Sequence, residues 1–219
     1  FLTNVTFFIT LISLSLLVSC GTIDHAVSPI KPIQLIDNLQ ELTENRNTPF
    51  IEFPQVDNYS ICHNHSCAKF SFIHLSTQQW GSVEALFTPP ASSAEQEREY
   101  IKSAIALLET ITGEHAGTYR DNAKNDISQG IHGQLDCIDE ATNSTVYLRL
   151  ISNAGLLKFH DQSSRTSRGG LISPHNTATI VERASNSRYA VDSWFYANGE
   201  PPVILPLTVW KSGWKPENN

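Results

Sequence analysis

Hydrophobic residues recur at three- and four-residue spacing in two stretches of the chain, which predicts two amphipathic helices. The first covers Ala94–Thr112, follows a capping serine and ends at Gly113. The second begins with Asp136 as its N-cap and ends at Gly155. Its apolar face comprises Ile138, Ala141, Thr145, Leu148 and either Ile151 or Ser152. Both helices are therefore expected to present one face to a core.

β-branched residues replace this spacing in the C-terminal third of the chain and predict strands there. Pro174–Glu182 and Tyr189–Phe195 read as two strands of a hairpin, joined by a turn at Ala184–Ser187. Two further short strands are predicted at Ser71–Ser76 and Leu156–His160. Helices combined with an antiparallel sheet predict an α+β fold.

The Pro-rich and aromatic C-terminal stretch, residues 201–214, has two interpretations. It contains Trp210 and Trp214. The stretch either packs over the edge of the sheet, which is the interpretation we favour, or forms a cleft wall or a groove for a partner.

The N-terminal segment has the features of an export signal. Phe1–Ser19 carries no charge, and its apolar core has the length of a signal-peptide h-region. The run Leu17-Val18-Ser19-Cys20-Gly21 resembles the bacterial lipobox, which implies lipidation of Cys20. We therefore expect a signal peptide at 1–19, a lipid-anchored linker at 20–50 and a domain at 51–219. An ordinary signal peptide or an N-terminal anchor helix is the alternative.

The lipobox resemblance also implies a location in the bacterial cell envelope. The residue after Cys20 is Gly21, whereas an Asp at this position would favour retention in the inner membrane. The expected location is therefore the outer membrane, facing the periplasm. Because the chain contains no methionine, we expect that the protein begins upstream of Phe1.

Composition excludes several classes of protein. Hydrophobic residues make up 40% of the chain, which is enough for a core. The formal net charge is −7 and no basic run is present, so no nucleic-acid partner is expected. No sequence pattern points to a cofactor.

Two of the four cysteines lie five residues apart, in the run Cys62-His63-Asn64-His65-Ser66-Cys67. An oxidising envelope favours a disulfide between Cys62 and Cys67. A metal site that also uses His63 and His65 is less favoured, because four ligands within six residues leave little room for a tetrahedron. Two free thiols are the third possibility.

The remaining cysteine, Cys137, falls in the first turn of the second predicted helix. A helix N-terminus favours the nucleophilic thiolate form of a cysteine. The acidic neighbours Asp136, Asp139 and Glu140 oppose this effect, so an adjacent imidazolium is needed to stabilise the thiolate.

Cys137 at a helix start, His175 at the start of a strand and Asp192 on the next strand resemble the papain-like superfamily in its transglutaminase-like branch. His175-Asn176 and Tyr189-Ala190-Val191-Asp192 are also similar to the corresponding strands of arylamine N-acetyltransferases. The resemblance covers about residues 133–196. It implies a central helix carrying the cysteine, packed on an antiparallel sheet that carries the histidine and aspartate.

The resemblance also implies the role of each residue. Cys137 is the expected nucleophile, His175 the general base and Asp192 the residue that fixes the imidazole tautomer. Gln134 matches the upstream glutamine that gives papain-like enzymes an oxyanion donor, although its spacing is shorter. The run Asp136-Cys137-Ile138 differs from the usual Gly-x-Cys of the family.

The hairpin itself leaves the distance between His175 and Asp192 open. Their separation of 17 allows both side chains to share one face of the sheet. A turn at Ala184–Ser187 would pair Asp192 with Thr179 and leave roughly 13 Å between the two residues. A tighter turn near Arg183–Asn186, or a bulge, would make them diagonal neighbours.

Two functions are compatible with these sequence features. The first is a lipid-anchored thiol enzyme that hydrolyses, or less readily transfers, acyl or amide groups of a peptide or small amide. The second is a catalytically inactive lipoprotein that binds an envelope protein. His160 is the competing histidine, and Arg165 and Arg168 are either contacts for an acidic substrate or part of a basic loop.

Overall fold

The computed structural model describes residues 51–125, 131–169 and 174–217, all of which belong to one compact unit. The predicted signal peptide, the linker and Cys20 lie outside these residues. None of the helices in the described part of the chain is long and apolar enough to cross a membrane. The strands are β1 (Tyr59–His63), β2 (Lys69–Ile73), β3 (His160–Arg168), β4 (His175–Glu182), β5 (Arg188–Asp192) and β6 (Val203–Pro206). The α-helices are α1 (Thr77–Ala85), α2 (Ala94–Ala116), α3 (Cys137–Asn153) and α4 (Leu207–Lys211).

The predicted α+β class is confirmed, with a two-stranded antiparallel sheet and a four-stranded antiparallel sheet in the described residues. The small sheet pairs β1 with β2, and β1 is buried along its whole length. The strand predicted at Ser71–Ser76 is displaced toward Lys69–Ile73, and its partner β1 was not predicted. Strand β1 shows no alternation of apolar and polar residues, because both of its faces are buried.

Helix α2 is one turn longer than predicted. It runs through Gly113 and ends at Gly117, which adopts a left-handed φ of 79°. A Cβ on Gly113 would lie 3.0 Å from both the Asn198 side chain and the Tyr119 backbone nitrogen. Gly113 is therefore explained by close packing rather than by a helix end.

Helix α3 forms the centre of the molecule, and twelve of its residues are buried. Its start agrees with the prediction: Asp136 is the N-cap, and it forms a capping box with Asp139. The helix contacts β4, β1 and β3 as well as α2. It therefore carries Cys137 at the end of a rigid, fully packed element.

The large sheet has the strand order β3-β4-β5-β6. The region around Arg165 and Arg168, predicted as a polar loop, is in fact strand β3, which begins at His160 where the predicted strand Leu156–His160 ends. A strand at the edge of a sheet needs no continuous apolar pattern, because one side faces solvent. Its polar sequence therefore hid it.

Candidate active site

The register of β4 and β5 brings His175 and Asp192 together. Ala178 pairs with Val191, and the Glu182 amide donates to the Ser187 carbonyl, so the turn occupies residues 183–186. This turn lies one residue earlier than Ala184–Ser187 and is the second of the two positions that the sequence allowed. Asp192 thus lies opposite Thr177, two residues from His175, and His175 Nε2 is 2.7 Å from Asp192 Oδ2.

Aromatic rings hold the imidazole of His175 from several sides. Its ring centroid lies 4.7 Å from that of Trp194, 5.3 Å from that of Phe195 and 5.5 Å from that of Trp210. Trp210 is fully buried, and its Nε1 donates to Asp192 Oδ2 at 2.7 Å. Asp192 is therefore fixed by two donors, and the imidazole has little freedom to rotate.

The surroundings of His175 favour the charged form of its imidazole. Burial alone would lower its pKa, but hydrogen bonds with Asp192 and Cys137 and their charges outweigh burial and raise the pKa to about 9. Because Nε2 contacts Asp192, Nδ1 is the ring nitrogen left for Cys137. The histidine therefore links the other two predicted residues.

Cys137 is the first residue of α3 and is half-buried. Its Sγ lies 3.7 Å from the Pro174 carbonyl oxygen and 3.7 Å from Asn176 Nδ2. The structure thus brings Cys137, His175 and Asp192 into one connected group. Asn176, which donates toward the sulfur, follows His175 directly in the chain, but no sequence signal assigned it a contact with the thiol.

Two donors, one at the first residue of α3 and one on a residue of the cavity lining, have no hydrogen-bond partner among the described residues. The cap residue Asp136 accepts from the amides of Ile138 and Asp139, and no described hydrogen bond uses the amide of Cys137. The buried Nε1 of Trp194 also has no partner in the described structure. Such donors can stabilise an oxyanion where one develops beside them.

Gln134, the predicted oxyanion residue, is buried two residues before the cap. Its Nε2 donates to the Arg120 carbonyl at 2.6 Å, and its Oε1 accepts from Asn122. No described hydrogen bond joins it to Cys137, so in this structure it ties the start of α3 to the 120–125 segment. Its oxyanion role stays a prediction.

A cavity of about 600 Å³ opens at the thiol. Cys137, His175, Trp194 and Phe195 form part of its lining. Its other charged lining residues are Lys124, Arg168, Lys211 and Lys215. A small molecule or a chain segment therefore has direct access to the Cys137–His175 pair.

The loop that precedes β2 supports the start of α3. Cys62 and Cys67 form a disulfide, as predicted. The amides of His65 and Cys67 donate to Asp139 at 2.9 and 2.6 Å, and the Ser66 amide donates to Asp136 at 2.9 Å. These amides hold the two carboxyl groups at the start of α3, and burial together with the charge of Asp136 raises the pKa of Asp139 to about 8.

The same loop is the group in the described residues that best matches a metal site. The Cys62 and Cys67 sulfurs and a carboxylate oxygen of Asp139 lie within 4.8 Å of one another. Disulfide sulfurs are poor metal ligands, since the thiolate is the ligating form. His63, a ligand in the alternative interpretation, instead bonds the Ser71 hydroxyl through Nε2 at 2.9 Å.

The competing histidine and the first basic candidate lie away from the thiol. His160 is fully buried, and its Nδ1 is 2.9 Å from Glu97 Oε1 on α2. Arg165 donates to the Thr142 hydroxyl on the side of α3. Both therefore hold β3 against the helices, whereas Arg168 lines the cavity.

Besides Asp139, three further buried carboxyl groups have a raised pKa. Burial raises the pKa of Glu109 to about 7 and that of Asp121 to about 7, and it raises that of Glu140 well above its usual range. Asp121 also accepts from the Leu135 amide at 2.6 Å, next to the cap of α3. These groups are therefore largely protonated below neutral pH.

Comparison of the chain with family models, curated proteins and solved structures found no match. The likeness to papain-like enzymes therefore rests on Cys137, His175 and Asp192 and on the geometry described above. Sequence reasoning missed Lys124 and Trp194 as residues of the site. Both reach the cavity through contacts between distant parts of the chain, which leave no local signal.

Proposed function

We propose that this protein is a thiol-dependent enzyme that cleaves acyl or amide bonds. The observation that carries the proposal is the position of His175, which is hydrogen-bonded to Asp192 and lines the same cavity as Cys137. A buried structural cysteine needs no such partner, and a solvated histidine needs no fixed carboxylate. The cavity at the thiol supplies the access that a substrate requires.

In the proposed reaction, the Cys137 thiolate attacks the acyl carbon and a tetrahedral oxyanion forms. His175 then donates its proton to the departing amine or alcohol, and a thioester remains. Water next attacks the thioester while His175 takes its proton, which releases the acid and restores the thiol. Hydrolysis is favoured over transfer to an amine because water is the more abundant acceptor.

The other residues support these steps. Asp192 holds the His175 ring and stabilises its charged form, as its hydrogen bond at 2.7 Å suggests. The unused amide of Cys137 at the start of α3 is the proposed oxyanion donor. Gln134 keeps its proposed role only if its amide leaves the Arg120 carbonyl when substrate binds.

We extend the proposal to fold type and location. A buried helix with the cysteine at its start, packed on antiparallel strands that carry histidine and aspartate, supports a papain-like or transglutaminase-like fold. The lipobox-like run at Cys20 supports a lipoprotein of the bacterial envelope. The Cys62–Cys67 disulfide agrees with an oxidising compartment.

Selective alkylation tests the thiol chemistry. Iodoacetamide should label Cys137 in the folded protein near neutral pH about ten times faster or more than it labels the same cysteine after denaturation. His175→Gln and Asp192→Asn should each reduce this rate to that of an ordinary thiol. His115→Gln, which changes an exposed histidine on α2, is the matched control and should have no effect.

A Cys137 that resists labelling until the protein is denatured would overturn the proposal. It would favour the alternative of a lipoprotein that only binds a partner in the cavity. Equal labelling rates in wild type and His175→Gln would overturn it as well, since the imidazole would then have no influence on the thiol.

A further inference from the structure

The cavity at Cys137 is basic, although the protein as a whole is acidic. Four cationic side chains line it, and no Asp or Glu is among the described residues of its lining. The chain has only 15 Lys and Arg residues and a net charge of −7, so this concentration is not a general property of the surface. A cleft lined by one sign of charge attracts ligands of the opposite sign.

The most firmly held of these cations is Arg168. Its guanidinium lies 4.4 Å from the ring centroid of Trp210, and its Nη1 donates to the Trp210 carbonyl. Asp192 is the carboxylate whose charge acts on it. That carboxylate accepts from His175 and Trp210, and no ion pair in the described residues joins it to Arg168.

The lysines come from separate parts of the chain. Lys124 has a left-handed φ of 59°, and its amide donates to the Trp194 carbonyl at 2.8 Å. A non-glycine residue in this conformation is held there by its surroundings. Lys211 at the end of α4 donates to the Ser167 carbonyl, and Lys215 follows in the C-terminal segment. No ion pair in the described residues uses any of these three lysines or Arg168.

We infer that the cavity selects acyl or peptide substrates that carry a negative charge near the bond to be cleaved. Arg168 is the main specificity residue, and Lys124, Lys211 and Lys215 add to the attraction. The inference rests on the proposed thiol chemistry, because it places the anion beside the Cys137 nucleophile. The inference also gives Arg168, noted in the sequence as a possible contact for an acidic substrate, a function beyond its place in β3.

The charge of the alkylating reagent tests this without a known substrate. Iodoacetate and iodoacetamide attack the same thiol and differ by one negative charge. The quantity to measure is the rate with iodoacetate divided by the rate with iodoacetamide, in folded protein relative to denatured protein. At low salt this ratio should be about 10. It should fall toward one at high salt, since exposed charges are then screened.

Variants assign the effect to residues. Lys124→Gln and Lys211→Gln should each lower this ratio about twofold, and Arg168→Gln should lower it about fourfold, as expected for removal of one charge at a larger or smaller distance from the reagent in water. Lys69→Gln, which removes an exposed lysine on β2 that does not line the cavity, is the matched control and should leave it unchanged. If Arg168→Gln does not fold, the two lysine variants still test whether the basic lining attracts the anionic reagent.

A pair of esters extends the test to turnover. The mono-p-nitrophenyl ester of adipic acid is anionic, and its methyl ester is a neutral compound with the same acyl chain. Attack by Cys137 forms the thioester and releases p-nitrophenolate, and the anionic ester should react about ten times faster. Equal rates for both esters, with fast labelling of Cys137, would overturn the charge selection and leave the thiol chemistry standing. Failure of both esters together with slow labelling by both reagents would instead overturn the proposed function.

Discussion

Trp210 and Asp192 are joined by a hydrogen bond of 2.7 Å from the indole Nε1 to a carboxylate oxygen. The same oxygen contacts His175, so the aromatic C-terminal segment reaches the centre of the site. From the sequence, this segment was expected to cover the sheet edge. Its first part is instead the edge strand β6 itself, whereas Trp210 packs on Ala190 and Leu205 and fixes the aspartate.

Replacement of Trp210 by Phe should separate these two contributions. Trp210→Phe keeps an aromatic ring under His175 but removes one of the two donors to Asp192, which leaves the carboxylate free to shift. We expect about a tenfold loss of the iodoacetamide labelling rate of Cys137 and a loss of about 1–3 kcal/mol in the free energy of unfolding. Trp214→Phe, which changes a partly buried tryptophan that packs on Phe195, is the control. An unchanged labelling rate in Trp210→Phe would contradict a positioning role.

The raised pKa of His175 predicts how stability depends on pH. The pKa is about 9 in the folded protein against an ordinary 6.5, so the charged histidine stabilises the fold fully below about pH 6.5. This contribution, on the order of 3 kcal/mol, is lost as the pH rises through about 9. Urea unfolding of wild type and His175→Gln should differ most at the lower pH. A difference that stays constant with pH would show that His175 is not held as a cation.

The buried carboxyl groups predict a second loss of stability as the pH rises, in a lower range than that of His175. Glu109 and Asp121 have a pKa of about 7 in the folded protein, against 4.5 and 3.8 ordinarily, and that of Glu140 is raised further. The folded state therefore binds more protons between about pH 4 and 7, and its stability falls across that range.

Glu140→Gln should remove much of this dependence, because the amide carries no charge to bury. We expect its melting temperature near pH 8 to exceed that of wild type by about 3 °C or more, since each kcal/mol shifts Tm by about 2–4 °C in a domain of this size. Glu114→Gln, on an exposed position of α2, should change nothing. A Glu140→Gln protein less stable than wild type near pH 8 would mean that the carboxylate is compensated in the fold.

Loss of the disulfide should affect both stability and the thiol. The double variant Cys62→Ser, Cys67→Ser should lose about 2 kcal/mol, as expected for so short a loop. Labelling of Cys137 should also slow severalfold, because a loosened loop would donate less to Asp136 and Asp139. Ser66→Ala keeps the disulfide and removes a single bond to Asp136, so it should behave nearly as wild type. Unchanged labelling in the double variant would show that the loop does not influence the nucleophile.

Cys20 can be tested in cells. Cys20→Ser should release the protein from the membrane fraction, because the thioether link to lipid can no longer form. Cys137→Ser, which removes the other unpaired thiol, should remain membrane-bound and is the control. A Cys20→Ser protein that still sediments with membranes would contradict the lipobox assignment and favour an uncleaved N-terminal helix.

Local signals in the sequence predicted much of the fold and the nucleophile. The cap at Asp136, the start of α3 at Cys137 and the hairpin that carries His175 are local features, and all were predicted. The register of that hairpin was open because a shift of the turn by one residue moves the pairing by two. In the structure, the turn at residues 183–186 sets the register and places Asp192 opposite Thr177.

Long-range contacts explain what the sequence could not predict. Trp210 lies 18 residues from Asp192, and the loop amides of β1–β2 lie 70 residues or more from the carboxylates they bind. Neither sequence separation belongs to a helical or strand repeat, so a single sequence gives no sign of these contacts. The role of Lys124 was hidden for the same reason, because it depends on a contact between its backbone and Trp194.

The left-handed turn formed by Asn64, His65, Ser66 and Cys67 sets a limit on how small an active form of this protein can be. All the residues assigned to chemistry lie after position 133, so a short C-terminal fragment would contain every reactive group. In that fragment, Asp136 and Asp139 would lack the backbone amides that hydrogen-bond to them in the intact domain. No side chain within the fragment replaces those amides, since they belong to a hairpin contributed by the other half of the chain. The proposed thiol chemistry therefore requires the β1–β2 hairpin as well as the C-terminal part of the chain.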